Sequence, residues 1–192
     1  MSRARYAGIA ALVALLTLAA AWFALRAGAE RTALPVMAEL GGDFELATAG
    51  GKRVRLQDYR GRAVLLFFGY MHCPDVCPTT LATLKQATEK LGDRVQVIMV
   101  SVDPQRDSPD ELAQYVRYFD ARFVGLSGTD GEIERVARQY RAFRQKEQTS
   151  AGGYTVSHSG YVYLLDQQGK VRALFGAGAS ESEIADGVRQ LL

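Results

Sequence analysis

Cysteine is nearly absent from this chain. Its 192 residues include two, both within the five-residue window Cys73-Pro-Asp-Val-Cys77. That count excludes a disulfide framework. Charge of one sign is lacking too: the formal net charge is +2 and is carried by Arg3 and Arg5, with the rest of the chain balanced. A balanced domain has no electrostatic reason to seek nucleic acid. There is no internal repeat and no low-complexity segment, so the chain is not a repeat array. From about Pro35 onward there is enough sequence for one ordinary domain with a real core, and too little for two.

Residues 1–29 contain the one long apolar run. Tyr6 to Leu25 is twenty residues without a charge, preceded by Arg3 and Arg5 and followed by Arg26. It is long enough to span a bilayer. Cleavable signal peptides carry shorter apolar regions of about 7 to 15 residues, so the length favours a retained anchor. Ala27-Gly28-Ala29, however, has the small-x-small shape of a signal-peptidase site. Either way the amino terminus is expected on the cytoplasmic side of the cell membrane and residues 30–192 in the periplasm or an equivalent compartment, although Arg26 and Arg31 weaken the charge contrast.

The globular part alternates strands and helices. Phe44 to Thr48 and Lys52 to Leu56 flank Ala49-Gly50-Gly51 and read as a hairpin. Ala63 to Tyr70 and Val95 to Val102 are continuous apolar runs, suited to strands buried on both faces. Between them a helical stripe runs from Pro78 through Leu81, Leu84 and Ala87 to Leu91 and stops at Gly92. Ser108-Pro109-Asp110-Glu111 is a capping-box sequence that opens a helix to about Phe119. Phe123 to Leu126 is a short strand, and Thr129 to Glu132 caps a helix expected to reach Phe143. Gln145 to Gly153 reads as a polar connection. Gly160 to Asp166 and Lys170 to Phe175 form a second hairpin, and Ser180 opens the last helix. This order predicts an α/β domain with a mixed sheet flanked by helices.

In such a sheet ligands collect beyond the carboxyl ends of the strands, and Cys73 and Cys77 lie just past the first buried strand. Residues four apart share a helix face, so both sulfurs point to one side. The amino end of a helix favours thiolate, so Cys77 is expected to deprotonate more easily than a free cysteine. Dithiol oxidoreductases of the thioredoxin type carry Cys-x-x-Cys, whereas three residues intervene here, which weakens an exchange role without excluding it. A purely structural disulfide would close a very small loop and restrain the unfolded chain little.

Two soft sulfurs want a third ligand. His158, at the mouth of a strand after the polar connection, is the candidate, against the alternative of an ordinary exposed histidine. A Cys-Cys-His set suits monovalent copper, while structural zinc prefers four ligands. His72 reads as a structural or supporting residue. Asp103 and Arg106, at the end of the next buried strand, are candidates to hydrogen-bond the metal loop, although Asp-Pro before a capping box is sufficient to explain a turn there. Asp75 is either a turn-forming carboxylate or a contributor to the charge around the metal, and Met71 is read as packing.

Together, Gly69-Tyr-Met-His-Cys-Pro-Asp-Val-Cys-Pro78, Ser101-Val-Asp-Pro-Gln-Arg-Asp107 and the distal His158 resemble the Sco/SenC family of membrane-anchored copper proteins, from roughly Phe44 to the end of the chain. Met71 departs from the small or hydroxyl residue usual beside that histidine, and this puts no ligand in doubt. The resemblance implies a thioredoxin-like fold and a copper site of Cys73, Cys77 and His158. It further implies a metallochaperone, a binding protein rather than an enzyme, that takes copper from an upstream donor and supplies the dinuclear centre of cytochrome c oxidase subunit II. The rival it leaves open is a thiol-disulfide oxidoreductase that uses Cys73 and Cys77 to keep that centre's cysteines reduced.

Overall fold

The structure, a computed structural model, describes residues 14–22, 34–150 and 152–192. The chain divides into two units, Met1–Ala33 and Leu34–Leu192. In the first, residues 14–22 are helical and exposed. Most of the expected membrane segment from Tyr6 to Leu25 lies outside the described residues, among which no helix is long and apolar enough to cross a membrane.

The second unit is built on a five-stranded sheet of order β5-β4-β3-β8-β9. Its centre is β3 (Ala63–Gly69) and β4 (Val95–Ser101), parallel and buried at every residue. Their uninterrupted apolar sequences follow from having both faces covered. β5 (Val124–Leu126) continues the parallel set, while β8 (Val162–Leu165) and β9 (Val171–Phe175) close the other edge antiparallel. The expected entrance hairpin is β1 (Glu45–Ala47) paired with β2 (Arg53–Arg55).

Helices α1 (Val76–Thr88), α2 (Pro109–Phe119), α3 (Asp130–Gln139) and α4 (Glu181–Arg189) flank the sheet. Their starts follow the sequence signals: Ser108, Thr129 and Ser180 each accept the amide of the third helical residue. Neighbouring side chains of β3 point to opposite faces. Phe68 joins an aromatic cluster, tilted against Tyr140 and edge-on to Tyr163, with centroids 5.5–5.7 Å apart. Phe67 instead lies beneath the metal-ligand candidates.

Two elements differ from expectation. Helix α3 stops at Gln139 rather than near Phe143. Arg141 takes φ +50, Ala142 N–H donates to Ala137 O and Arg141 N–H to Arg138 O, which is a Schellman stop. That stop normally announces itself with glycine, and here an arginine occupies the left-handed position. The first four residues of the expected connection from Gln145 to Gly153 are strand: β6 (Arg144–Gln148) pairs antiparallel with β7 (Tyr154–His158) in a separate two-stranded ribbon. Val156 is its one buried residue among those described, so the alternation of apolar residues that marks a strand is missing from the sequence. Arg144 ties the ribbon down, donating to Val102 O at 3.1 Å, Glu134 at 3.2 Å and Asp130 at 2.8 Å.

Gly125 of β5 sits where a Cβ would lie 2.7 Å from the backbone oxygen of Leu112 in α2. Backbone gives way poorly, so Gly125→Ala should lower the urea midpoint, by about 1–3 kcal/mol of stability. A midpoint equal to wild type would show that α2 is not seated against β5 in this way.

Glu132 supplies a pH test of the junction between α3 and the β1–β2 hairpin. The Thr129 amide and then Arg53 hold its carboxyl down at about 2. A carboxylate depressed in the folded state stabilises above its unfolded pKa, and this contribution is lost as pH falls through the folded value. Glu132→Gln should therefore destabilise the protein at pH 7, with the gap from wild type closing between about pH 4.5 and pH 2 in urea titrations. A gap that stays constant with pH would contradict the assignment.

Candidate metal centre

Strand β3 ends at Gly69, and the chain turns through residues 70–75 before α1 begins. Cys73 lies on this turn, partly exposed, and Cys77 lies in the first turn of α1, wholly buried. The Cys77 amide donates to Cys73 Sγ at 3.4 Å, so the start of the helix folds over the first sulfur. Gly69 makes room for the second: a Cβ there would come within 3.0 Å of Cys77 Sγ and 2.6 Å of the Phe67 ring. Both thiols are unbridged.

His158 is the last residue of β7. Its Nε2 lies 3.5 Å from Cys77 Sγ, and the two sulfurs and a ring nitrogen all fall within 4.8 Å of one another. Nδ1 is 3.1 Å from the carbonyl oxygen of Ser159. A carbonyl only accepts, so Nδ1 carries the proton and Nε2 presents its lone pair toward the sulfurs. Burial lowers the pKa of the ring, which favours the neutral form that ligates metal. The ring is set edge-on to Tyr70, with centroids 5.7 Å apart, and to Phe67 at 6.3 Å. The Tyr70 hydroxyl oxygen accepts the Val156 amide at 3.4 Å, two residues before the histidine.

The expectation for Cys77 is overturned. Burial pushes its thiol well above the ordinary cysteine value, and a hydrogen bond with the Tyr70 backbone offsets this only in part. The helix amino terminus does not compensate for the loss of water around a side chain with no exposed surface. Such a thiol gives up its proton when a cation takes over the negative charge.

The remaining candidates separate. His72 is exposed and places Nδ1 3.8 Å from Asp107 Oδ1, outside the cluster of sulfurs and His158 nitrogen. Asp75 precedes α1 as its N-cap residue, but its side chain makes no capping bond. Met71 packs partly buried against the core. Asp103 and Arg106 do not hydrogen-bond the cysteine loop, as expected of them, but turn to β7: Tyr154 Oη–H donates to Asp103 at 2.9 Å, and Arg106 donates to Tyr154 O at 3.0 Å. The residue that does hold the loop is Asp107. Its buried carboxylate accepts the Met71 amide at 3.2 Å and the Ser101 hydroxyl at 2.7 Å. Asp107 belongs to the same sequence run as Asp103, and nothing in the local pattern says which carboxylate faces the cysteines.

Two thiols and one imidazole, gathered at a partly exposed corner, are a donor set for a soft ion content with low coordination. Among the described residues no fourth histidine, cysteine or carboxylate joins the group, so a closed four-ligand zinc site is not supplied.

Comparison with known proteins agrees with this chemistry. Among solved structures, copper-bound ScoI of Bradyrhizobium japonicum is 38% identical, with a TM-score of 0.73 over 80% of this chain and 99% of that one. The human protein SCO2 homolog, mitochondrial, is 35% identical over 186 residues, which is 90% of this chain and 70% of that protein. The Arabidopsis thaliana protein SCO1 homolog 1, mitochondrial, is 36% identical over 155 residues, where the match spans 79% of this chain and 46% of that protein. The SCO1/SenC family profile matches residues 33–192, the whole of the sheet domain that carries the three donors, and the chain belongs to that family.

Proposed function

We propose that the protein is a copper metallochaperone, a binding protein rather than an enzyme, that holds copper on Cys73, Cys77 and His158 and passes it to a copper-site acceptor. The observation that carries this reading is the convergence of these three donors within 4.8 Å from two separate parts of the chain. Copper is the cofactor the donor set calls for, and copper-bound relatives share the fold. The acceptor we infer is the dinuclear centre of cytochrome c oxidase subunit II, loaded after an upstream donor has filled this site. Residues 30–192 would face the periplasm, and residues 1–29 would hold the protein at the inner membrane.

The residues divide the work. Partly exposed Cys73 gives an acceptor's ligands an approach, while buried Cys77, with the partly buried His158 ring against it, forms the inner wall. Cys77 loses its proton as metal arrives and takes one back on release, since a bare thiolate is unfavourable in its surroundings. Reprotonation of Cys77 Sγ therefore favours handing the cargo on.

A second reading rests on the unequal exposure of the sulfurs. As a thiol-disulfide oxidoreductase, the protein would attack a partner disulfide with the Cys73 thiolate, and Cys77 would resolve the mixed disulfide. The partner would leave as a dithiol, and Cys73–Cys77 as a disulfide. That chemistry has no use for His158.

Copper binds thiolate and not disulfide, so oxidising Cys73 and Cys77 to a bridge should abolish one-equivalent copper binding, and reductant should restore it. Copper content measured on the full-length chain in both states tests this; equal content would sink the site. In cells at limiting copper, His158→Ala should impair assembly of a copper-dependent respiratory oxidase nearly as much as Cys77→Ser, with partial rescue by added copper. Wild-type oxidase activity in the histidine variant beside failure of the cysteine variant would favour the oxidoreductase.

A further inference from the structure

The turn from Ser101 to Asp107 leaves β4 and touches both halves of the metal centre through different residues. Toward the cysteine loop it extends Asp107, which accepts the amide of Met71, two residues before Cys73. Toward the ribbon it extends Asp103 and Arg106. Asp103 has no exposed surface, is ion-paired with Arg106 and accepts the Tyr154 hydroxyl at 2.9 Å. Arg106 donates to the backbone oxygen of Tyr154 at 3.0 Å, and its guanidinium lies 3.9 Å from the centre of that ring. Its other neighbour is Tyr70, 5.8 Å from the guanidinium, whose ring in turn stands edge-on to His158. Tyr154 begins the strand that His158 ends.

The ribbon has almost no core of its own, since Val156 is its one buried residue among those described. A two-stranded ribbon of this kind depends on outside contacts for its position. Toward the His158 end, the contacts include those of Arg144, which pairs across from His158, and the Val156 amide, which donates to the Tyr70 hydroxyl oxygen at 3.4 Å. At the other end, they are those of Arg106 and Asp103. Lysine could not reproduce the second set, because one planar group both bonds a carboxylate and a carbonyl and stacks on a ring.

We propose that Arg106, acting with Asp103 through Tyr154, is a positioning residue for the third metal ligand: it holds β7 where His158 reaches Cys77, separately from the Asp107 contact that holds the cysteine loop. The inference rests on the copper reading above. Loosening Arg106 swings one ligand away and leaves the two sulfurs in place.

The experiment uses the reduced full-length chain with two probes. Divalent copper at one equivalent is examined by electron paramagnetic resonance for coupling to an imidazole nitrogen, and monovalent copper is titrated against a bicinchoninate chelator. Arg106→Gln and Tyr154→Leu should each lose most of the nitrogen coupling and weaken copper binding about 10–100-fold. The thermal midpoint of Tyr154→Leu should stay close to wild type, whereas Arg106→Gln, which leaves buried Asp103 without its ion pair, should lower it, and neither variant should weaken binding further on a His158→Ala background. Retained coupling in both variants, or losses that add to that of His158→Ala, would overturn the proposal. So would a collapse of the thermal midpoint in both, since the contact would then serve the whole domain. A wild-type chain without nitrogen coupling, or His158→Ala with unchanged affinity, would instead remove His158 from the ligand set and bring down the copper reading itself.

Discussion

The parallel pairing of β3 with β4 is the constraint on which the site depends. Its register sets Gly69 opposite Ser101, and the Val102 amide donates to Gly69 O at 2.8 Å, so the two strands end side by side. The turn carrying the cysteines and the turn carrying Asp103, Arg106 and Asp107 therefore leave the sheet at the same edge. A slip of one residue would turn each side chain of β3 to the other face and take Phe67 from beneath the site. Complete burial of both strands resists such a slip, because every residue of the register is committed to the core.

A soft metal site needs donors that are close, unsolvated and not already satisfied by water. The fold meets these needs at some cost to the donors themselves. Cys77 is held as a neutral thiol by its surroundings, and His158 as a neutral imidazole whose proton is committed to Ser159. Cys77, with no exposed surface, has no water shell to take the place of an ion. A cation must therefore displace the Cys77 proton to bind, which makes occupancy of the site depend on pH. Cys73 and the His158 ring are partly open, which leaves one side of the cluster accessible.

Much of this was legible in residue order. The apolar runs of β3 and β4, the hydroxyl caps at Ser108, Thr129 and Ser180, and the glycine turns of the two flanking hairpins are local signals and were read close to their observed limits. The Cys-x-x-x-Cys window with a distant histidine pointed to the three candidate donors that the fold brings within 4.8 Å of one another. Illegible were features whose cause is not local. The stop of α3 rests on an arginine in a left-handed conformation, and β6 carries no apolar residue because it is exposed from Gln145 to Gln148.

What the sequence determined by itself is the list of elements and the chemistry of the donors, since both follow from side-chain type and from periodicity over a few residues. Tertiary structure alone decided the geometry. It assigned Asp107 to the cysteine loop and Asp103 with Arg106 to Tyr154, although all three lie within five residues of one another. It also reversed the expected acidity of Cys77, because desolvation depends on what surrounds a thiol in space and outweighs the helix terminus that the sequence reveals.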